Sequence, residues 1–342
     1  MATETGVSAA PRRKPPTPPQ PSRGGRIWLY DGDGEDAPIR LENEEVPEPG
    51  DNQMLWIDVD LESIEGLEQL WDRLGIRDSI EGIDSMQTVP QLIQHNGMIQ
   101  VNVVAAGGNS SFEPMPLHCF VGRNWIATLH KGDLDLVDRF NEPFHGETDL
   151  GKLDGPSFLS MVLDWLLNGY FAAIEALQEE IDHLDEELLQ RSPDEQALLS
   201  QLLQMRRRVR RLRQSLGPHR EVFALLGNPE SETVIGSEAA PSYQRLSERL
   251  EKALDAVENT REMIVGSFDI FMTRNAQATN EVMKRLTIVS VLLLPAAVIA
   301  GIMGMNFRVG LFDHAYLFWV TLGVMALLAT TTLIIARRRK WI

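Results

Sequence analysis

The chain has 342 residues, 43% of them hydrophobic, and its 32 basic residues stand against 49 acidic ones, for a formal net charge of −17. This balance argues against a general nucleic-acid-binding protein, since no basic excess is available to replace phosphate counterions. Cys119 is the single cysteine, which excludes an internal disulfide and a cysteine-rich zinc module. Because the N-terminus lacks an apolar segment, we expect no secretory signal.

Residues 1–25 are rich in proline, with serine, threonine and arginine between the prolines. Such a composition buries too little apolar surface to offset the entropy of the chain. We therefore predict a disordered tail over 1–25.

Residues 26–154 show a short and mixed pattern, with β-branched and aromatic runs between turn residues. Helices are predicted at Glu62–Leu74 and Ser79–Asp84. The predicted strands are Ile27–Tyr30, Met54–Val59, Ile99–Val104, Leu117–Val121 and Trp125–Leu129. This alternation predicts an α/β domain with a mixed sheet.

Residues 155–285 have a helical period, with apolar residues every three or four positions. A first helix is predicted over Ser157–Gln190. A second begins at Ser192 and ends near Leu226, with a disturbance at Gly217 and Pro218. A third begins at Pro241 and meets no stop signal before Gly304, so its roughly 60 residues predict a rod of about 90 Å. We interpret this region as a long helical stalk whose acidic and arginine-rich faces pair between neighbouring helices.

Two uncharged segments near the C-terminus, 286–307 and 315–336, are each about 22 residues long, enough to cross a bilayer. The connection 308–314 is short and predicts an antiparallel hairpin. Basic residues precede the first segment and follow the second, which places both termini in the cytoplasm by the positive-inside rule. The basic tail consists of Arg337, Arg338, Arg339 and Lys340.

Two helices cannot enclose an aqueous path, so transport would require several copies around an axis. Thr287, Ser290, Ala297 and Gly301 recur at helical spacing along the first segment. This small and polar stripe suits a narrow pore lining and suits tight helix packing equally well. Pro295 predicts a bend within the same helix.

The segment from Asn280 to Lys284, the proline at 295, and the triplet Gly304-Met305-Asn306 at the outer end of the first span resemble the CorA family of divalent metal-ion transporters. The resemblance implies an α+β membrane protein with three parts: a cytoplasmic α/β domain, a long helical stalk and a two-helix transmembrane hairpin. It also implies a homopentameric funnel whose pore is lined by the first span.

From the same resemblance, Gly304, Met305 and Asn306 are expected to form the entry filter. Neutral amides can hydrogen-bond a hydrated ion without stripping its water, which suits Mg²⁺. A helix C-cap is the alternative interpretation of the glycine and the asparagine. The pore positions implied by the resemblance are Asn280, Met283, Leu286, Leu294, Ala297 and Gly301.

Met283, Leu286 and Leu294 would form apolar constrictions that close by dewetting; their alternative is contact with lipid or protein. Asp269 is implied as half of a regulatory site between subunits that binds cytosolic metal, and its alternative is an exposed helix carboxylate. Divalent cations are thus expected as substrate and regulator. No resident cofactor is expected, and no pairing of nucleophile and base suggests an enzyme.

The outer loop departs from the family, because Arg308 stands where a residue that attracts cations is expected, and Asp313 is the one acid there. The ZntB-like zinc branch therefore stays open as an alternative to Mg²⁺, Co²⁺ or Ni²⁺ import. A non-conducting scaffold anchored in the membrane is the alternative of another class. The expected partners are the lipid bilayer of the plasma membrane, further copies of the chain and divalent cations, with no nucleic acid.

Overall fold

The computed structural model describes most of the chain outside the N-terminal tail and several loops. The described residues are 26–33, 37–39, 46–61, 67–81, 83, 89–95, 97–107, 112–132, 134, 136, 149–189, 195–228, 239–305 and 316–338. The predictions for residues 1–25, 62–66, 190–194, Asn306, 308–314, Arg339 and Lys340 lie outside them.

The described strands form one seven-stranded sheet in the order β2-β1-β3-β7-β6-β5-β4. The strands are β1 (Arg26–Asp31), β2 (Ala37–Ile39), β3 (Gln53–Asp60), β4 (Gln91–His95), β5 (Met98–Gly107), β6 (Glu113–Val121) and β7 (Trp125–His130). Strands β3 and β7 pair in parallel and the other neighbours pair antiparallel. The predicted mixed sheet is therefore confirmed.

All five predicted strands are present, whereas β2 and β4 were not predicted. The first of these has three residues, and the second, Gln-Leu-Ile-Gln-His, has polar residues at both ends. Both lie at the edges of the sheet. Edge strands are often short and polar, which protects their unpaired backbone groups from pairing with other chains, so they show a weaker sequence pattern.

Both faces of the sheet are covered, which explains the almost continuous burial of β3. Helices α1 (Glu68–Leu74) and α2 (Arg77–Glu81) follow β3, and Trp71 belongs to the apolar cluster on one face with Ile57 and Leu129. On the other face, the Trp56 and Phe158 rings lie 5.2 Å apart. The two predicted short helices are present over their described residues, each beginning or ending a few residues from the predicted bounds.

The remaining helices follow the predicted order. They are α3 (Gly155–Leu188), α4 (Glu195–Leu216), α5 (His219–Leu226), α6 (Ala240–Met303) and α7 (Tyr316–Arg338). The predicted disturbance at Gly217 and Pro218 is confirmed as the break between α4 and α5. The predicted absence of a stop before Gly304 is also confirmed, since α6 is continuous for 64 residues.

The backbone of Val104 on β5 ties two helices to the sheet. Its N–H donates to Nε2 of His219 at 3.0 Å, and its carbonyl accepts from the Tyr170 hydroxyl at 2.9 Å. Nδ1 of His219 lies 3.2 Å from the carbonyl of Leu216, so this nitrogen carries the proton of a neutral ring. Burial lowers the pKa of His219 to about 4, against the smaller opposing effect of backbone hydrogen bonds.

A second buried histidine behaves in the opposite way. His130 lies 3.4 Å from the carboxylate of Asp58 through Nε2 and 2.7 Å from the carbonyl of Gly132 through Nδ1. Both ring nitrogens therefore face acceptors, an arrangement that favours the charged imidazolium. Burial, the largest single cause, lowers the pKa of His130, but the hydrogen bond and charge of Asp58, the Gly132 carbonyl and the charge of Asp60 together outweigh it, so the net shift is upward.

Ion pairs join the long helices, as the charge pattern predicted. Arg208 on α4 pairs with Glu180 on α3 at 2.5 Å, and Arg213 pairs with Glu258 on α6 at 3.3 Å. Between residues that the structure describes, the pairing involves part of the arginine-rich helix, through Arg208 and Arg213.

The chain divides into two compact units. The first contains the residues up to His183 together with Leu199–Ile264, and the second contains Leu184–Leu198 together with the residues from Val265 onward. The sheet belongs to the first unit. The domain boundaries inferred from the sequence stay a prediction.

We predict that His219 makes the fold sensitive to acid. The unfolded chain binds a proton below the ordinary pKa of about 6.5, whereas the folded chain does so only near pH 4. Stability should therefore fall from pH 6.5 to about 4, by up to about 1.4 kcal/mol per pH unit for this one group.

Thermal unfolding of the detergent-solubilised chain against pH measures this effect. His219→Leu should unfold at a lower temperature throughout, because the Val104 N–H loses its acceptor, but with a weaker dependence on pH. His183→Leu, at an exposed position, is the matched control. Equal pH slopes in wild type and His219→Leu would contradict the assignment.

Candidate pore helix

The outer part of α6 changes from exposed on all sides to covered on one side. Every residue from Asn275 to Thr287 is exposed. Beyond that segment, half-buried residues recur every three or four positions, which marks one helical face. They are Ile288, Leu292, Pro295, Ala296, Ile299 and Met303.

Helix α7 has a matching covered face, made of Thr321, Met325, Ala329, Thr332 and Ala336. The Thr321 hydroxyl lies 3.9 Å from the sulfur of Met303, so the two helices contact each other. Ala329, Ala336 and the two threonines of this face are small, which leaves room for larger side chains of α6 such as Leu292 and Ile299. Within one chain, the contact with α7 is made by residues of α6 other than those of the small stripe.

The pore positions implied by the resemblance all lie on α6 and are all exposed. At about 100° per residue, Met283, Leu286, Leu294, Ala297 and Gly301 share one face, roughly opposite the face that contacts α7. Asn280 lies about 70° away, at the edge of this face. We call Met283, Leu286, Leu294, Ala297 and Gly301 the free face of α6.

Further residues lie on the free face of α6. Ser290, a member of the small stripe, lies between Leu286 and Leu294. Val265, Phe268 and Met272, which were not predicted as pore positions, continue the same face toward the N-terminus with exposed side chains. Spacings of three and four residues extend the face to Val265, Phe268 and Met272, which the resemblance does not cover.

The hydroxyl of Thr287 donates to the carbonyl of Met283 at 2.7 Å. This local bond satisfies the donor within the helix, so a threonine is tolerated in an apolar segment. Thr330, Thr331 and Thr332 make the same bond on α7.

The helix ends at the predicted filter. Gly304 N–H donates to Ala300 O at 2.9 Å, and Met305 N–H donates to Ile302 O at 3.2 Å, which closes the last turn. A Cβ added at Gly304 would lie 3.3 Å from the Ala300 carbonyl oxygen, a tight contact that requires a small shift of the backbone. The bonds at Gly304 are those of a helix end, and Asn306 lies outside the described residues.

Asp269 lies on α6 with an exposed side chain. None of the ion pairs between described residues includes it. In the same part of the chain, no group of three or more His, Cys, Asp or Glu side chains is arranged to hold a metal ion. A regulatory site at Asp269 would therefore need ligands that one copy, over its described residues, does not supply.

Comparison with known proteins identifies the class. The family described as CorA-like Mg2+ transporter protein matches residues 51–338, so the chain belongs to this family. The family consists of membrane transporters, which agrees with the prediction that the chain is not an enzyme.

Individual relatives match parts of the chain. The Cobalt/magnesium transport protein CorA of Thermotoga maritima is 32% identical over 189 residues, which cover 54% of this chain and 52% of that protein. The match thus spans about half the length of this relative. The Zinc transport protein ZntB of Yersinia enterocolitica is 23% identical over 181 residues, 53% of either chain.

Two solved structures share the fold. The CorA magnesium transporter from Methanocaldococcus jannaschii superposes with a TM-score of 0.73 at 20% identity, covering 92% of this chain and 98% of that one. The full-length CmaX protein gives a TM-score of 0.71 at 22% identity, covering 94% and 99%. The mixed sheet, the long helix and the apolar C-terminal helices therefore belong to a known architecture.

Proposed function

We propose that the chain is a channel-like transporter that moves divalent cations, Mg²⁺ foremost and also Co²⁺ or Ni²⁺, through a homopentameric pore. The observation that carries the proposal is the free face of α6, whose residues lie together on one side of the helix and away from α7. Membership of the CorA-like family supports the substrate class.

The case for several copies is physical. The most apolar stretches of α6 and α7 have none of their residues buried in a single chain. Lipid can cover such surfaces, but lipid next to the free face would leave no route for an ion. Copies arranged around an axis would turn the free face toward water and the remaining faces toward lipid. Five copies follow from the family resemblance.

The proposed topology has two spans, with both termini in the cytoplasm of a cell whose plasma membrane holds the protein. Among the described residues, three helices are long and apolar enough to cross a membrane, namely α3, α6 and α7. Half of the apolar stretch of α3 is buried, with Phe158 on the sheet. We therefore assign α3 to the cytoplasmic part, and the basic residues at 284–285 and 337–338 to the cytoplasmic ends of the spans.

A membrane potential is a sufficient driving force. A divalent cation that enters a cell with a negative interior gains about 4.6 kcal/mol per 100 mV, twice the value for one charge. A gated passive pore therefore needs no energy-coupling site. The filter would consist of Gly304, Met305 and Asn306, where neutral oxygen atoms hydrogen-bond a hydrated ion.

Uptake by proteoliposomes tests this function. Under an inside-negative potential, dye-reported entry should be strongest for Mg²⁺, and Asn306→Ala should reduce it at least about tenfold because the filter loses its carboxamides. Asn52→Ala, at an exposed position of the sheet unit, is the control and should transport normally.

Other outcomes identify the alternatives. Preferential entry of Zn²⁺ would favour a zinc transporter. The ZntB similarity and Arg308 in the outer loop support this alternative. Absence of any flux from correctly assembled protein would favour a membrane-anchored scaffold.

Gly301 offers a test of the free face. A Cβ added at Gly301 or at Gly323 on α7 meets no atom within 4 Å of the chain. Valine at either position should therefore leave each single chain stable. Gly301→Val should nevertheless cut Mg²⁺ uptake at least about tenfold, since five added side chains narrow the pore, whereas Gly323→Val should not. Equal uptake by both variants would remove Gly301 from the pore.

Leu294 tests the apolar constriction. Its side chain is 68% exposed, and Leu327 on α7 is 67% exposed. Leu294→Asn should wet the constriction and raise the leak of Mg²⁺ under conditions that close the wild type, because a dewetted gate needs apolar walls. Leu327→Asn is the matched control. A leak in both variants would indicate membrane damage rather than an opened gate.

Asp269 tests the regulatory site. We infer that cytosolic Mg²⁺ bound near Asp269 of one copy and a carboxylate of the next holds the pore closed. Asp269→Lys should therefore relieve inhibition by Mg²⁺ inside the vesicles, measured as uptake against internal concentration. Asp255→Lys, an exposed acid on the same helix, is the control. Unchanged inhibition in Asp269→Lys would contradict this role.

A further inference from the structure

Helix α4 presents a strongly basic outer face. Its inward side is buried through Leu202, Met205, Val209 and Leu212. Four arginines on the other side are exposed: Arg206, Arg207, Arg210 and Arg211. None of them takes part in the ion pairs between described residues, unlike Arg208 and Arg213. We call these four residues the arginine face.

The four arginines of this face repel one another. Residues 206 and 210, 207 and 211, and 207 and 210 are three or four positions apart, so like charges are neighbours along the helix. Such pairs destabilise an isolated helix. A partner of opposite charge would turn this repulsion into attraction.

Helix α3 carries an acidic face of matching character. Glu175, Glu179 and Asp182 are exposed and lie within about 60° of one another around the helix. The buried residues Ile174, Leu177 and Ile181 lie on the opposite side. These acids also take no part in the ion pairs between described residues, whereas their neighbour Glu180 pairs with Arg208. We call these three residues the acidic face.

We propose that the arginine face of one copy binds the acidic face of the next copy. The guanidinium groups would donate paired hydrogen bonds to the carboxylates, the geometry in which arginine binds most strongly. Two complementary faces on different helices make a head-to-tail contact, which is the kind that closes into a ring. This inference rests on the proposed oligomeric transporter and names the surfaces that join its cytoplasmic parts.

Charge complementarity favours a second copy as the partner. Two copies each carry a net charge of −17, but salt screens exposed charges that lie more than about 8 to 10 Å apart, so the side chains that face each other decide whether the contact forms. A second copy brings its acidic face to the arginine face and its arginine face to the next acidic one. Each contact then relieves the repulsion within both faces.

Charge reversal in the full-length protein tests the contact. Arg207→Glu, Arg210→Glu and Arg211→Glu together should raise the protomer concentration at half assembly by about tenfold or more, measured by mass photometry in lipid nanodiscs or detergent. The control reverses Arg123, Arg245 and Lys252, three exposed cations outside the arginine face, and should assemble normally. Adding Glu175→Arg, Glu179→Arg and Asp182→Arg to the first variant should restore assembly.

Contacts between the membrane helices could hold the ring together after charge reversal. Cross-linking tests the contact between the two faces directly in that case. Burial raises the pKa of the native Cys119 thiol, so engineered thiols react in its place. A chain with Glu179→Cys and Arg207→Cys should form a ladder of disulfide-linked copies on oxidation, more weakly at high salt. Glu179→Cys with Arg123→Cys should not form one.

The outcomes separate this inference from the proposed function. Absence of the ladder in protein that assembles and transports Mg²⁺ overturns the contact and leaves the transporter intact. Loss of binding to phosphatidylglycerol vesicles in the arginine variant, with assembly unchanged, overturns it in favour of lipid. A wild-type chain that stays monomeric in lipid overturns the ring and this contact together.

Discussion

The 64-residue helix α6 imposes the constraint on which the rest of the structure depends. Its first part is fixed in a protein core, where Tyr243, Leu250 and Val257 are buried. Its last part has one narrow face against α7, and large apolar side chains such as Leu286 and Leu294 are exposed. Such a surface is unstable in water. One continuous helix therefore has to be covered by protein at one end and by lipid or further copies at the other.

Hydrogen bonds to buried polar groups link the elements of the core that holds the first part of α6. Tyr243 donates its hydroxyl to the Pro156 carbonyl at 2.6 Å, and Val104 is bonded through both backbone groups by Tyr170 and His219. A buried group without a partner is costly, so these bonds restrict how the helices sit on the sheet. The two buried histidines shift in opposite directions: burial lowers the pKa of His219, whereas the surroundings of His130, with Asp58 beside it, raise its pKa.

Charge is distributed in a way that suits passage of a cation. The five residues of the free face of α6 are neutral, so an ion that passes along this face would meet no fixed charge from them. Charged residues gather instead on α3 and α4, at positions where some pair within the chain and others face outward. Transport and assembly would then use different surfaces, which is why the cross-linking and uptake experiments can fail independently.

Local patterns determined much of this protein from the sequence alone. Apolar spacing predicted the long helices, Gly217 and Pro218 predicted the break after α4, and the uncharged segments predicted two helices suited to a membrane. These features depend on residues a few positions apart, which is the range over which helix periodicity acts. The Gly304-Met305-Asn306 triplet likewise pointed to the family that the comparison confirmed.

Tertiary structure decided what joins distant segments. The parallel pairing of β3 with β7, the edge strands β2 and β4, and the choice of Arg208 rather than Arg207 as the partner of Glu180 depend on residues far apart in the chain. The sequence also did not determine which side of α6 contacts α7, because apolar residues occur all around that helix and only packing distinguishes them.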